Sequence, residues 1–171
     1  LISSRTNNNG RNFNIFTFSD VKRGEGSGGE MAHSSKHNGG VFSDRNACNG
    51  ELMVVPVKRK SDNKPMYLLL QSLPLGPGRA NVGIYYKELA SEHDYIDPAL
   101  LAMEWDGVKQ ISTLNSAYST MAWQKDNRLG FFYEEETYGK SNFAYGGYTI
   151  VYECFDIEDI TDGKYSYRTK K

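Results

Sequence analysis

The chain has 171 residues, with 20 Lys plus Arg against 21 Asp plus Glu, 12 tyrosines, 17 glycines and two cysteines. That length suffices for one domain with a real core, and the near-zero net charge excludes the basic excess that nucleic acid or an anionic membrane calls for. No apolar run approaches the roughly 18 residues of a spanning helix, and two cysteines are too few for a disulfide-stapled scaffold, so both are expected as buried free thiols.

Strand-like runs follow one another along the chain: LISSR (1–5), FNIFTF (13–18), ELMVVPV (51–57), MYLLLQS (66–72) and NVGIYYKEL (81–89). After DPALLAMEW (97–105), which predicts one helical turn behind its Asp-Pro start, come VKQIST (108–113), YSTMAW (118–123), LGFFYEE (129–135) and YTIVYECF (148–155). NNNG, SDNKP, GPG, KDN and YGG supply the turns between them. Residues 22–40, rich in Gly, Ser and Lys, read as a loop, and 156–171 as a C-terminal tail. The opening LISSR begins in mid-strand with no initiator Met or signal peptide, so a C-terminal piece of a longer polypeptide is expected.

A regular series of short strands fits a sandwich, a barrel or propeller blades. Compact hairpins joined by longer links, with charges at strand starts, favour blades. The expected fold is therefore all-β, in antiparallel meanders that form two to three blades of a propeller. A closed ring needs at least about four blades, and a free fragment would leave long unpaired edges. The remaining N-terminal portion of the propeller is thus an expected partner.

Four short motifs occur in a telling order: LISSR, PGRANVGIYY, NSAYST and LGFFYEE. Together, over residues 1 to about 155, they resemble the C-terminal half of the sialidase (exo-α-neuraminidase) family, a six-bladed propeller. The resemblance implies a role for each residue. Arg5 resembles the middle member of the family's arginine triad, and Arg79 the third; both would bind the substrate carboxylate. Tyr118 resembles the catalytic nucleophile. Glu134 resembles the carboxylate that orients the triad's first arginine. That first arginine, the acid/base aspartate and the glutamate that activates the tyrosine would all lie upstream of LISSR. One departure is local: FSDVKRGEGSGGE keeps Ser19 and Asp20 of the family's Asp box but lacks its glycine and tryptophan positions.

The implied activity is hydrolysis of terminal α-linked sialic acid from glycoconjugates with retention, through a covalent tyrosyl intermediate. Sialic acid carries a carboxylate on its anomeric carbon, and arginine's planar fork matches that group in a way lysine cannot. A neutral tyrosine approaches this anionic centre without the repulsion a carboxylate nucleophile would meet, and sialidases are a recognised exception to the two-carboxylate glycosidase scheme. A phenol with a pKa of about 10 needs an adjacent base. The isolated chain is therefore expected to be inactive, to need a sialylated glycan as substrate and to use no cofactor or metal; a secreted or periplasmic location is expected. Two alternatives stand beside this reading: a sialidase-like propeller that binds glycans without cleaving them, and an unrelated propeller serving as an interaction scaffold.

Taken singly, these residues have plainer readings: a packed tyrosine, a solvent-exposed turn arginine, surface charges. His33 and His37 have helical metal-pair spacing but sit in a Gly/Ser/Lys stretch, which predicts solvated side chains. ACNGE (47–51) resembles a Cys-containing turn near the family's active face, and reads equally as an Asn-Gly hairpin turn. Trp105 and Trp123 are expected in the core rather than against sugar.

Overall fold

The computed structural model describes residues 1–6, 10–43, 48–137 and 147–169. Strand makes up 52% and helix 9%, so the chain is all-β as expected. Its strands are β1 (Ile2–Arg5), β2 (Arg11–Asn14), β3 (Phe16–Asp20), β4 (Glu25–Gly28), β5 (Ala32–Ser34), β6 (Leu52–Arg59), β7 (Pro65–Pro74) and β8 (Val82–Leu89). The short helix α1 (Pro98–Ala102) precedes β9 (Gly107–Gln110), β10 (Ser116–Trp123), β11 (Leu129–Glu136) and β12 (Tyr148–Phe155). Helix α2 (Ile157–Ile160) and β13 (Tyr165–Tyr167) close the chain. Among the described residues, no helix is long and apolar enough to cross a membrane.

All pairings are antiparallel. The central sheet has the order β13-β6-β7-β8-β9; β1-β2-β5 and β10-β11-β12 flank it, and β3-β4 forms a separate ribbon. The meander β6 to β9 and the three strands β10 to β12 are compatible with propeller blades.

Strand β7 shows why these layers pack. Its apolar run is unbroken because both faces are covered. Leu68 and Leu70 enter one core with Phe131, Leu129 and Ile157, beneath β10-β11-β12. Leu69 and Leu73 enter the other with Phe13, Leu89 and Leu101, beneath β1-β2-β5 and α1. Each fully buried leucine contributes about 1.5–3 kcal/mol.

The expected strand 13–18 splits at Ile15. The Asn14 side chain accepts the Ile15 amide (2.6 Å), and Ile15 O accepts from Gly29 N (3.3 Å), so β2 stays in its sheet while β3 starts the ribbon. The expected loop 22–40 is corrected: it contains β4 and β5, whose small residues take strand form by pairing with β3 and β2. Backbone partners override the weak strand propensity of Gly and Ser. The expected tail 156–171 is corrected likewise. It folds into α2, capped by Asp156, and into β13, which pairs with β6. The Asp-Pro start of α1 holds, with Asp97 Oδ1 accepting Ala99 N (2.8 Å). Residues 7–9 of NNNG, Ala47 of ACNGE and most of YGG lie outside the described residues.

Candidate functional site

Antiparallel pairing sends the ends of distant strands to one rim. Arg5 closes β1, and its register partner Arg11 opens β2. Cys48 lies just before β6, Arg79 lies between β7 and β8, Tyr118 sits near the start of β10, and Glu134 is near the end of β11 beside the start of β12. Side-chain bonds join these ends across three sheets. Ser3 Oγ donates to Gln71 Oε1 (2.5 Å), Ser119 Oγ to Ser72 Oγ (2.9 Å), and Thr120 Oγ1 to Glu51 Oε2 (3.1 Å).

Tyr118 is presented by a bulge. Ser116 pairs with Glu135 and Ser119 with Tyr133, so β10 carries one residue more than β11 over this span. A bulge bends its strand and re-aims a side chain. The Tyr118 amide donates to Glu134 Oε2 (3.2 Å), and the residue is 37% exposed, while neighbouring Ala117 is fully buried. The Arg79 guanidinium carbon stands 5.5 Å from the Tyr118 ring centroid, within cation–π range. Backbone bonds fix that approach: Ser116 N donates to Arg79 O (2.8 Å) and Asn81 N to Leu114 O (2.9 Å).

The buried Cys48 thiol feels the charges of Arg79, Glu134, Arg5 and Arg11. Burial pushes its pKa up; Arg79, Arg5 and Arg11 pull the other way. Arg79 is pushed up, first by facing Cys48 and further by the neighbouring Tyr148 and Tyr118. Gly50 lets this segment approach β7, because a Cβ there would lie 1.7 Å from Ser72 O.

Arg5, Arg79, Tyr118 and Glu134 therefore share one rim, with Arg5 and Arg79 exposed. Cys48 is buried as expected, whereas Cys154 is half-buried with Sγ 2.8 Å from the Tyr152 hydroxyl. His33 Nδ1 lies 3.0 Å from Asn12 Oδ1. Among the described residues no group of three or more His, Cys, Asp or Glu forms a metal cluster. Trp105 packs against the core on Phe13 and Tyr85, and Trp123 lies tilted against Tyr167 with ring centroids 4.6 Å apart. Sequence reasoning missed Arg11, Tyr148 and the Gln71 network. The one available signal for the network was a glutamine and a serine interrupting the apolar run of β7.

No protein-family model and no curated protein matches the chain.

Proposed function

We propose that this rim is the C-terminal share of a sialidase site, in which Arg5 and Arg79 bind the carboxylate of a terminal sialic acid and Tyr118 is the nucleophile. The observation that carries the reading is the bulge at Tyr118, whose ring meets Arg79 at 5.5 Å and whose amide meets Glu134, with Arg5 and Arg79 both acting on the same Cys48 thiol. A cation over the ring favours the developing phenolate.

In the proposed step the Tyr118 oxygen bonds to the anomeric carbon as the bond to the departing sugar oxygen breaks. The phenol proton passes to a carboxylate from the rest of the propeller, and the departing oxygen takes a proton from an acid there. Water then cleaves the tyrosyl–sugar bond, with net retention. Glu134, bound to the Tyr118 amide, serves as an anchor rather than as the base. Exposed Phe132, Ile150 and Tyr152 give β10-β11-β12 an apolar outer face suited to packing against a further blade.

The test is Tyr118→Phe in the complete polypeptide, with a fluorogenic sialoside and a fluorinated sialosyl trap. Turnover should collapse while binding of N-acetylneuraminate persists, and wild type should carry the adduct on Tyr118. Full activity in the variant, or an adduct elsewhere, would refute the nucleophile. Binding without turnover in wild type would identify a glycan-binding propeller, and no binding at all a scaffold.

A further inference from the structure

Arg11 is 3% exposed and stands opposite Arg5 in the β1–β2 register, so both side chains leave the same face of the sheet. Like charges in direct cross-strand register are unfavourable, and a buried cation without a counter-charge costs more. Arg11 Nε donates to Ser3 Oγ (2.9 Å), Nη1 to the Cys48 carbonyl (2.9 Å) and Nη2 to the Ser3 carbonyl (3.1 Å). These acceptors are all neutral. Among the described residues Arg11 has no carboxylate partner, whereas Arg59, at the far end of β6, grips both Asp62 and Glu88. Burial, and then Arg5, hold the Arg11 pKa down to about 10, which leaves it charged at neutral pH.

The three bonds also clamp two parts of the site. Ser3 is on β1, two residues before Arg5, and Cys48 lies before β6 in reach of Arg79. Ser3 Oγ is shared with Gln71, so the clamp extends into the central sheet. A permanent charge held by neutral acceptors, in register with exposed Arg5 and bound to the carbonyl of the Cys48 that faces Arg79, is arranged for an anion supplied from outside.

We propose that Arg11 is a positioning residue for anion binding at this rim: it ties the Cys48 segment to β1 and adds a fixed positive charge behind Arg5 and Arg79. It does not touch the ligand. The identity of the anion as a sialic acid rests on the reading above; the role of Arg11 toward a carboxylate does not.

The experiment titrates the 171-residue chain, followed by amide NMR shifts, with N-acetylneuraminate, its C1 methyl ester and acetate. Arg11→Met should weaken both carboxylates about tenfold and leave the ester unchanged, the scale of one unit charge lost at moderate dielectric. Arg11→Lys, which keeps the charge, should stay within about threefold. Ser3→Ala keeps the cation but loosens it, and should fall between the two. Carboxylate binding by Arg11→Met equal to wild type would overturn the proposal, as would equal weakening of acid and ester. If Arg11→Met does not fold, the acid-to-ester ratio in Ser3→Ala decides, and an unchanged ratio overturns the proposal. Wild type binding acetate but not N-acetylneuraminate would sink the sialic-acid reading and leave Arg11 to be judged on acetate. Binding neither would overturn both.

Discussion

Gln71→Leu removes a polar group on which the rim depends while keeping side-chain volume. Gln71 is fully buried, and it accepts from Ser3 Oγ at 2.5 Å and donates to Glu51 O and Ser72 O at 3.0 Å each. Three such bonds are worth about 1 kcal/mol each net, and stranded buried partners cost more. Two partners soften the loss: Ser3 Oγ still receives Arg11 Nε, and Glu51 O still accepts Ser72 N. The apolar replacement regains about 1 kcal/mol of burial. The net expectation is a loss of about 2–3 kcal/mol, or about 5–10 °C in Tm for a chain of this size. Urea unfolding should show a lower midpoint at unchanged slope. A double-mutant cycle with Ser3→Ala should return a coupling of about 1 kcal/mol. A Gln71→Leu protein as stable as wild type, or a cycle with no coupling, would mean that the two sheets are not joined through this bond.

Arg79→Lys keeps the charge but loses the carboxylate fork and the guanidinium contact with the Tyr118 ring; N-acetylneuraminate affinity should fall about tenfold, and an unchanged Kd would refute bidentate binding. If the proposed acid/base lies outside these 171 residues, the chain by itself should show no turnover of a fluorogenic sialoside, since loss of an acid/base alone costs about 10²–10⁴-fold; robust activity would contradict the half-site proposal. A disulfide-exchange reagent should label half-buried Cys154 well before Cys48, and the reverse order would contradict the burial of Cys48. Because burial raises the folded Cys48 pKa above its ordinary 9.0, the thiol's contribution to stability is complete below that pH and is lost as pH rises through the folded value. Wild type should therefore lose more stability than Cys48→Ala as pH rises above 9.0, and parallel losses would count against it.

Much of the fold was legible because period and turn chemistry speak locally. The strands that became β6, β7, β8, β11 and β12 were readable as apolar runs between turn residues, and α1 as an Asp-Pro start. What escaped reading depends on partners distant in sequence. EGSG in β4 has no strand propensity of its own and is ordered by its pairing with β3. Residues 156–171 look like a tail until Tyr165 is seen in the core with Tyr86 and Ile157. For the site, motif order picked out Arg5, Arg79, Tyr118 and Glu134; the contacts between them, Arg79 on the Tyr118 ring and Glu134 on its amide, could not be read from order alone. The bulge under Tyr118 was hidden, because one extra residue in a strand is visible only against the strand it pairs with.

The interruption in β7 explains why the rim lies where it does. Leu68 to Leu70 are buried on both faces, and Leu73 resumes the apolar pattern, so Gln71 and Ser72 have no excuse from solvent: both are fully buried. A buried glutamine and serine persist only where every polar atom is met. The groups that meet them come from all three sheets: Ser3 of β1, Glu51 before β6 and Ser119 of β10. Apolar packing alone holds sheets together without fixing their strand ends to within an ångström, whereas directional bonds between three of them do. Arg5, Tyr118 and the Cys48 segment each lie within three residues of a member of this layer. A buried polar layer tied to the strands that carry Arg5 and the bulged Tyr118 would give the proposed site the rigid support that charges held ready for a ligand need.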